Sequence, residues 1–413
     1  MGYVGLPLAL AFSNAGFKVL GFDIQQKRVD WVNKGHSYIV DVDKESLAEA
    51  VERKSLEAIT DQSHIREVDA ICICVPTPLT KTKDPDLSAV VYESEQISKY
   101  LQAGQLVVLE STTYPGTTRE VILPILERSG LKAGQDFQLA FSPERVDPGS
   151  KNYHIKNTPK VVGGIDSKST RLAALLYRQV ADEVVLVSSP EVAEMTKVFE
   201  NVFRSVNIAL VNELTLLCEK IGISVWEVID AAATKPFGYM PFYPGPGIGG
   251  HCIPLDPYYL ANKAREYDFH TRFIELAADI NEQMPYYVVS RIMGALNAKG
   301  KSLKKAKVLV LGVAYKRDVE DTRESPSLKL IDILRKKGAN VHYNDPYVAK
   351  VKVSDETLAS VELTEKQLSA ADCVVIATDH ACYDYKHIVK KASLIFDTRG
   401  VTRKLRSKNI MKL

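Results

Sequence analysis

Short apolar segments alternate with helical patterns along the first 187 residues, and this alternation limits the folds that the chain can adopt. The apolar segments are rich in β-branched and aromatic residues and are bounded by turn residues, as buried strands require. Strands that alternate with helices form crossover units and a largely parallel sheet. We predict strands at KVLGFD (18–23), AICICVP (70–76), LVVLEST (106–112), FQLAFSP (137–143) and EVVLV (183–187).

The same alternation returns after KGKSLKKAK (299–307), a basic segment that we interpret as a solvated linker. The first strand here is followed by GVAYKRD rather than by a glycine fingerprint. We therefore expect a nucleotide-binding type of fold that does not hold a dinucleotide phosphate in the usual way. The predicted strands are KVLVLGVAY (307–315), ANVHYNDP (339–346), ADCVVIATD (371–379) and ASLIFDTRG (392–400).

Long helical patterns lie between the two α/β regions. One begins at Ser188, has Pro190 in its first turn, and ends at Gly222, a natural C-cap. A second begins near Phe273. Helices of this length favour packing as a connector or as the interface of a homodimer or larger homo-oligomer. We predict two Rossmann-like, doubly wound α/β domains joined by a central long-helix domain, with bounds 1–187, 188–300 and 301–413.

Composition excludes several classes of function. The chain has 413 residues, 46% apolar and 25% charged, and a net charge of +2, which gives no reason to expect nucleic acid or an anionic membrane as a partner. No apolar run reaches the roughly 18–20 residues that span a bilayer. The 6 cysteines form neither a disulfide framework nor a paired zinc motif. This cysteine pattern favours a reduced, cytoplasmic protein. His251 has no companion ligands in the sequence, so we expect no metal.

The opening GYVGLPLALAFSNAG matches the end of a dinucleotide-binding loop, with Tyr3 and Val4 between Gly2 and Gly5. These glycines let a pyrophosphate and a helix come close. Asp23 ends the next predicted strand about 20 residues on, where a carboxylate accepts the ribose 2′-OH of NAD and repels the 2′-phosphate of NADP.

The first glycine of that fingerprint, and the central strand before it, are absent from the chain. A sheet without its central strand leaves two rows of backbone groups unpaired. We therefore expect the protein to start several residues upstream, with Met1 an internal methionine. An intact mass of 45.8 kDa for the protein from its native source would overturn this expectation.

Two polar residues share one face of the first long helix. Lys197 and Asn201 are four residues apart, among apolar neighbours such as Ala193 and Phe199. A lysine in that setting either extends to solvent or stabilises a developing oxyanion. The pair alone does not decide between these interpretations.

A second candidate is Cys252, in the loop PGPGIGGHCIPLDP (244–257). Free cysteine is most often a small buried apolar residue, but a constrained loop also suits an oriented nucleophile. We expect Gly249 and Gly250 to remove side chains from the path of a bulky substrate, and Asp256 to hold a water or accept a proton. Glu144, in SPERVDPG (142–149), directly follows a predicted strand, as do the hydroxyls of EST (110–112).

These groups beside NAD suggest a twofold oxidation. An alcohol is oxidised to an aldehyde, which a cysteine thiolate attacks to form a thiohemiacetal. A second oxidation gives a thioester, and water hydrolyses it to a carboxylate. Little of an ordinary cysteine is thiolate at pH 7, so Lys197 or a loop dipole would assist ionisation.

The sequence resembles the UDP-glucose/GDP-mannose dehydrogenase family of UDP-sugar 6-dehydrogenases. The form GGHCIPLDPYYL is similar to the bacterial UDP-N-acetylglucosamine 6-dehydrogenase branch, which supplies a uronate for surface polysaccharides. The motifs that carry the resemblance run in order through nearly the whole chain: GYVGLPLA, PTPLT, EST…PGTT, SPERVDPG, EMTKVFEN, PGPGIGGHCIPLDP and GVAYKRDVEDTRESPS.

The resemblance implies roles for individual residues, with NAD as cofactor. Cys252 would be the nucleophile, and Glu144 would serve thioester hydrolysis. Lys197 and Asp256 would order water and stabilise oxyanions, while Asn201 would bind the sugar-derived oxygen. The implied cofactor contacts are Gly2, Tyr3, Val4, Gly5, Asp23, Arg28, Thr77, Arg323 and Thr112, the last also catalytic. The implied UDP-sugar contacts are Glu144, Arg145, Lys197, Asn201, Phe242, Tyr243, Gly249, Lys316 and Arg399.

Two positions depart from the UDP-glucose branch, which has a glutamate in place of Pro148 and a lysine in place of Leu255. These two changes argue against UDP-glucose as the preferred substrate. UDP-N-acetylmannosamine and UDP-glucose are kept as the alternative substrates. A single-step alcohol dehydrogenase of the β-hydroxyacid type would use the lysine and asparagine but not Cys252. A non-catalytic sugar-nucleotide sensor would need none of these groups.

Overall fold

A computed structural model describes residues 1–39, 41–80, 82–146, 149–150, 152–250 and 252–413. The chain divides into two compact units. Unit 1 comprises Met1–Glu200 and Tyr258–Phe269, and unit 2 comprises Asn201–Pro257 and His270–Leu413.

Unit 1 contains two sheets. Its strands are β1 (Val19–Phe22), β2 (Leu56–Ile59), β3 (Ala70–Ile73), β4 (Leu106–Leu109), β5 (Gln138–Phe141), β6 (Lys160–Gly164) and β7 (Val184–Leu186). Its helices are α1 (Gly5–Asn14), α2 (Gln26–Asn33), α3 (Lys44–Glu52), α4 (Ser88–Tyr100), α5 (Leu123–Leu126) and α6 (Ser167–Tyr177). Shorter helical turns lie at Gln62–Glu67, Thr118–Ile122 and Glu127–Ser129.

The larger sheet has the order β3-β4-β5-β6-β7, and every neighbouring pair is parallel except β5 and β6. Strands β1 and β2 form a separate parallel pair. Among the described residues, no strand joins this pair to β3.

Strand β4 explains why helices cover both faces of the sheet. All four of its residues are buried. Val107 and Leu109 pack in one core with α4 and α5, whereas Leu106 and Val108 pack in another with α1 and α6. Each such side chain contributes about 1.5–3 kcal/mol on burial, so the alternation fixes a doubly wound arrangement.

Two long helices separate the two sheet regions along the chain. Helix α7 (Pro190–Ile221) has 32 residues, and those from Asn201 onward belong to unit 2. Gly222 follows it with a φ of 82°, a left-handed conformation that suits a helix C-cap. Helices α8 (Val225–Ala232), α9 (Asp256–Arg265) and α10 (Arg272–Asn297) come next. The two long helices are confirmed.

Unit 2 has a parallel sheet with the order β14-β13-β12-β8-β9. Val308 and Val310 face one core, and Leu309 and Leu311 face another. The strands are β8 (Lys307–Leu311), β9 (Asn340–Asn344), the hairpin β10 (Lys350–Val353) and β11 (Glu356–Ala359), β12 (Cys373–Ile376), β13 (Ile395–Asp397) and β14 (Ile410–Lys412). The helices are α11 (Pro326–Lys336), α12 (Glu365–Ala370) and α13 (Tyr385–Lys391).

All nine strands predicted from the sequence are present, and the doubly wound α/β fold is confirmed. The expected solvated linker at 299–307 is partly wrong, because Leu303 and Ala306 within it are buried in the core of unit 2. No helix in the described parts of the chain is long and apolar enough to cross a membrane.

Candidate active site

The glycine turn of unit 1 leads directly into α1. The helix begins at Gly5, and its first turn has no acidic side chain. A Cβ on Gly2 would meet no atom within 4 Å, and one on Gly5 would lie 3.6 Å from Cβ of Cys74. Backbone N–H groups at a helix N-terminus favour an anion such as a pyrophosphate. Tyr3 and Val4 lie in this turn, so its four predicted residues stand together.

Asp23 directly follows β1, and the structure brings it together with Arg28. Oδ1 of Asp23 accepts from the N–H of Gln25 at 2.9 Å, and Oδ2 lies 2.9 Å from the amino nitrogen of Met1 and 3.2 Å from Nη1 of Arg28. Burial raises the pKa of Asp23, but these hydrogen bonds and positive charges outweigh it, and the net pKa is below 3.8. The group is an ionised acceptor at neutral pH.

Thr77 and Thr112 also lie together. The Thr77 hydroxyl donates to the Thr112 carbonyl at 2.7 Å, which ties the chain after β3 to the chain after β4. Tyr259 donates its hydroxyl to the Thr77 carbonyl at 2.8 Å. The glycine turn, the helix N-terminus and the Asp23 carboxylate are the donor and acceptor set that NAD needs, so these residues fit the cofactor.

A buried charge cluster lies at the carboxyl end of β4 and β5, and we call Glu110, Glu144 and Lys160 the Lys160 cluster. Nζ of Lys160 lies 2.7 Å from Oε2 of Glu110 and 3.4 Å from Oε2 of Glu144. The three side chains are 0%, 15% and 4% exposed, in sequence order. Tyr177 donates its hydroxyl to Glu110 at 2.5 Å. The sequence analysis identified Glu144 but neither Glu110 nor Lys160.

Glu144 is held as a carboxylate. Its Oε1 accepts from the N–H groups of Arg145 at 2.8 Å and Val146 at 2.6 Å. Burial raises the pKa of Glu144. The charge of Lys160, these N–H groups and the charge of Lys197 lower it by more than burial raises it, so the net pKa is below 4.5. The structure therefore brings Glu144 and Lys197 into one electrostatic environment.

Lys197 and Arg145 are two cations near Glu144 with different surroundings. Lys197 is 8% exposed, so the solvent-extended alternative for this lysine is wrong. The guanidinium of Arg145 pairs with Glu200 at 2.6 Å and donates to the Pro159 carbonyl at 2.6 Å. Arg145 therefore supports the segment that carries Glu144.

Cys252 lies in a tight turn of unit 2 that runs into α9. Its carbonyl accepts from the N–H of Leu255 at 3.1 Å and of Asp256 at 2.9 Å. Asp256 is the first residue of α9 and is buried. This turn fixes the position of Asp256 relative to the backbone of Cys252.

Asn201 joins that turn to α7. Its side-chain NH₂ donates to the Asp256 carboxylate, and its side-chain oxygen accepts from Arg204. Asn201 and Asp256 are both buried, so this connection is shielded from water. The sequence analysis missed Arg204, although an arginine three residues after Asn201 on the same helix was a usable signal.

The two glycines before the cysteine correct one expectation. A Cβ on Gly249 would lie 2.6 Å from Cβ of Tyr315, and one on Gly250 would lie 3.0 Å from its ring. Gly250 also has a φ of 86° and donates its N–H to the Arg323 carbonyl at 3.0 Å. The room that these glycines leave is filled by Tyr315, not kept open for a substrate. Pro148 and His251 lie outside the described residues.

The remaining predicted contacts lie in loops of unit 2. Arg399 is half-buried, donates from Nε to the Ala377 carbonyl at 2.8 Å, and leaves only 3.0 Å between Nη1 and a Cβ built on Gly245. Burial lowers its pKa, although Asp379 and Asp397 oppose this. Phe242 and Tyr243 lie just before Gly245 in the sequence.

Aromatic contacts position Phe242 and Tyr243. Phe242 packs edge-on against Phe203 with ring centroids 5.8 Å apart. Tyr243 stacks on Trp226 at 5.8 Å and donates its hydroxyl to Asp230 at 2.9 Å. Both side chains are therefore ordered within unit 2.

Lys316 lies in the loop after β8, and two buried side chains hold that loop at both ends. Asp345 accepts from the N–H groups of Val313 at 2.7 Å and Ala314 at 3.0 Å. His380 lies 3.0 Å from the same carboxylate through Nε2, and its Nδ1 accepts from the N–H of Asp318 at 2.9 Å. The sequence analysis named neither Asp345 nor His380.

Three family models match the chain in order. They are the NAD-binding domain of the UDP-glucose/GDP-mannose dehydrogenase family over residues 1–181, its central domain over 191–283, and its UDP-binding domain over 309–404. The chain belongs to this family. It is an NAD-dependent UDP-sugar dehydrogenase.

Individual relatives match over nearly their whole lengths. A UDP-N-acetyl-D-mannosamine dehydrogenase from Pyrococcus horikoshii is 35% identical over 422 residues, which cover 98% of each chain. A UDP-N-acetyl-D-glucosamine 6-dehydrogenase from Pseudomonas aeruginosa is 36% identical over 383 residues, 92% of this chain and 89% of that one. The solved structure of a UDP-D-ManNAc dehydrogenase from Pyrococcus horikoshii superposes with a TM-score of 0.91 at 34% identity, covering 100% of this chain and 96% of the other.

Proposed function

We propose that the chain oxidises the C6 hydroxyl of a UDP-N-acetylhexosamine, UDP-N-acetylglucosamine first, to the uronate in two NAD-dependent oxidations for surface polysaccharide synthesis. The observation that carries this proposal is the connection from Cys252 through Asp256 to Asn201. The backbone carbonyl of Cys252 makes this connection and fixes the turn that carries the thiol, and a single-step alcohol dehydrogenase has no use for a thiol in that turn. NAD, when bound, supplies the hydride acceptor for both oxidations.

Cys252 would act as the nucleophile. Its thiolate attacks the aldehyde carbon to form a thiohemiacetal, and the second oxidation leaves a thioester on the same sulfur. Asn201 is suited to donate to the sugar-derived oxygen, because its NH₂ has two N–H donors and Asp256 takes one of them, while Arg204 occupies its side-chain oxygen.

Acid–base roles fall to three buried groups. Lys197 would stabilise the developing oxyanions, Asp256 would order water, and Glu144 would take the proton from the hydrolytic water. The low pKa of Glu144 supports this role, since a base must be ionised at neutral pH. Thr112 would assist beside the cofactor.

Separate groups of residues would bind the cofactor and the substrate. The glycine turn, Asp23, Arg28 and Thr77 would hold NAD, and Arg323 would complete its site. Arg145, Lys316, Arg399 and the loop of Phe242 and Tyr243 would hold the UDP-sugar. We retain 1–187, 188–300 and 301–413 as the domain bounds, a division that the order of the family matches supports.

UDP-N-acetylmannosamine is the second candidate substrate, because relatives with that name match as well as those named for the glucosamine sugar. The test is kcat/KM with UDP-N-acetylglucosamine, UDP-N-acetylmannosamine and UDP-glucose. We expect the glucosamine sugar to be preferred by about tenfold or more. A preference for the mannosamine sugar or for glucose would assign the chain to that alternative.

We also propose a homodimer, because apolar side chains repeat along one exposed face of α7. Val192, Phe199, Phe203, Leu210 and Leu217 recur at intervals of four or seven residues, and each is 41–63% exposed. Such a stripe matches the seam of a packed helix pair, so we expect a second copy to cover it. Light scattering should give twice 45.8 kDa for the parent. A Leu210→Glu variant should give the single-chain mass, and a parent of single-chain mass would contradict the proposal.

A further inference from the structure

Strand β6 runs in the reverse direction in the unit 1 sheet, and this places a lysine at the carboxyl end of the neighbouring strands. Because β6 runs antiparallel to β5, its first residue, Lys160, lies at the end of the sheet where β4 and β5 finish. Glu110 and Glu144 follow β4 and β5 at that end. A parallel strand would carry its first residue to the opposite edge.

We propose that Lys160 is a positioning residue for Glu144 in thioester hydrolysis, an inference that rests on the function proposed above. Lys160 holds the Glu144 carboxylate in place, and Glu110 in turn fixes Lys160. The 2.7 Å contact to Glu110 is the shorter of the two, so Glu110 anchors the lysine while Glu144 receives its second contact at 3.4 Å.

Every proton of the ammonium group has an acceptor. Nζ of Lys160 donates to Glu110 at 2.7 Å, to Glu144 at 3.4 Å and to the Pro143 carbonyl at 3.4 Å. An ammonium group has three donors, so three acceptors define its direction. Glu110 is itself fixed on its other oxygen by Tyr177. The position of Glu144 is therefore set from the interior of the sheet.

Titratable groups from five elements surround Glu144. Lys160 is on β6, Glu110 follows β4, Lys197 is on α7, and Tyr177 ends α6. The thiols of Cys72, on β3, and of Cys74, which directly follows β3, lie near Glu110 and Lys160. Without Lys160, two buried carboxylates would share one site, and one of them would bind a proton. A protonated Glu144 cannot accept a proton from water.

The hydrolytic step consumes one water. The water oxygen bonds to the acyl carbon, the carbon–sulfur bond breaks, and its electron pair leaves on the sulfur of Cys252. One proton of the water goes to Glu144, and the other remains on the acid product. The steps that form the thioester do not require this proton transfer. Loss of Lys160 should therefore slow hydrolysis selectively and cause the thioester to accumulate.

The experiment compares Lys160→Arg, Lys160→Met and the double variant Lys160→Met with Glu110→Gln. The double variant guards against misfolding, because it removes the buried carboxylate that loses its partner. Lys132→Met is the matched control, since Lys132 also pairs with a glutamate, Glu127 at 3.1 Å, but is 60% exposed. Each protein is mixed with NAD and UDP-N-acetylglucosamine, or the preferred sugar from the substrate panel. Rapid NADH formation and the intact mass of the protein are followed.

We expect the double variant to form NADH rapidly, to carry the uronoyl adduct on Cys252, and to have a kcat about 100-fold lower than the parent. In Lys160→Met, which keeps the Glu110 carboxylate beside Glu144, the acidic limb of the kcat–pH profile should move to higher pH, whereas in the double variant, which removes that like charge, the limb should stay near that of the parent. Lys160→Arg should recover kcat to within about threefold, and Lys132→Met should match the parent.

Two results would overturn the inference while leaving the proposed function intact. One is a double variant with parental kcat and no adduct. The other is an equal loss in NADH formation and hydrolysis, which would mean a purely structural role. If the parent forms no NADH from any UDP-sugar, the proposed function fails and the inference fails with it.

Discussion

The two parallel sheets use their carboxyl edges differently. The unit 1 edge carries a buried lysine and two buried carboxylates, because one strand is reversed. In the described part of unit 2, all neighbouring strands of the five-stranded sheet are parallel, and the edge of this sheet holds a backbone loop through Asp345 and His380. The comparison teaches that one architecture can supply either a cluster of charged side chains or a fixed loop, depending on the direction of a single strand.

Removing the base should cause the largest effect if the unit 1 edge supplies the proton-transfer groups. We expect Glu144→Gln to lower kcat by about 100-fold to 1,000-fold, because the amide cannot take a proton from water. A thioester adduct on Cys252, detected by intact mass during turnover, is the specific sign. Glu95→Gln, a change at an exposed glutamate on α4, is the control. Equal kcat for Glu144→Gln and the parent would remove unit 1 from the hydrolytic step.

The second prediction contrasts a buried carboxylate that lacks a cation with one that has a histidine partner. Glu194 accepts from the N–H groups of Gly116 and Thr118, yet burial raises its pKa to about 7. Asp345, despite burial, has a lowered pKa because His380 and backbone N–H groups favour its ionised form.

The raised pKa of Glu194 determines how the stability of the fold changes with pH. Between pH 4.5 and 7 the folded state binds more protons than the unfolded state, so stability falls as pH rises through this window. Relative to Glu194→Gln, the parent should lose on the order of 3 kcal/mol of unfolding free energy across it. Urea unfolding at pH 4.5 and 7.5 measures this difference. Parallel curves for the two proteins would contradict the prediction.

The third prediction concerns the hydroxyl that anchors the Lys160 cluster. Tyr177→Phe leaves the ring in place but removes the donor to the buried Glu110 carboxylate, which should cost about 2 kcal/mol of unfolding free energy. Tyr153→Phe, at a side chain that is 63% exposed, should change stability by less than about 0.5 kcal/mol. Indistinguishable urea midpoints for Tyr177→Phe and the parent would show that the hydroxyl does not stabilise Glu110.

The smallest expected effect tests the loop of unit 2. His380→Gln should loosen the backbone that carries Lys316, and should raise KM for the UDP-sugar about tenfold while kcat changes by less than about threefold. His387→Gln is the matched control at a side chain that is 42% exposed. A fall in kcat with unchanged KM would mean that this edge also acts in the chemical step.

The alternation of apolar segments was enough to predict the strands with continuous apolar runs. Strand β6 was missed because KVVGG begins with a lysine and ends with two glycines, which is typical of a turn. The structure explains these glycines: a Cβ on Gly163 would lie 2.1 Å from the Ser189 carbonyl oxygen, and one on Gly164 would lie 2.3 Å from the Thr170 nitrogen. The strand therefore depends on close packing against distant segments of the chain, and the local sequence pattern carries no information about that packing.

The candidate site divides in the same way. Cys252, Asp256, Asn201 and Glu144 could be named from their motifs. Lys160 could not, because it acquires meaning only when a reversed strand brings it to Glu110, fifty positions earlier in the chain. For the same reason the sequence analysis gave the glycines before Cys252 to the substrate, whereas Tyr315 occupies that space.

The central claim is a twofold oxidation through a thioester on Cys252. The most direct measurement is the number of NADH molecules formed for each UDP-sugar consumed, in the parent and in Cys252→Ala. We predict two NADH per sugar in the parent and a loss of turnover of roughly a thousandfold in the variant. One NADH per sugar in both proteins, at similar rates, would contradict the account and leave a single-step alcohol dehydrogenase.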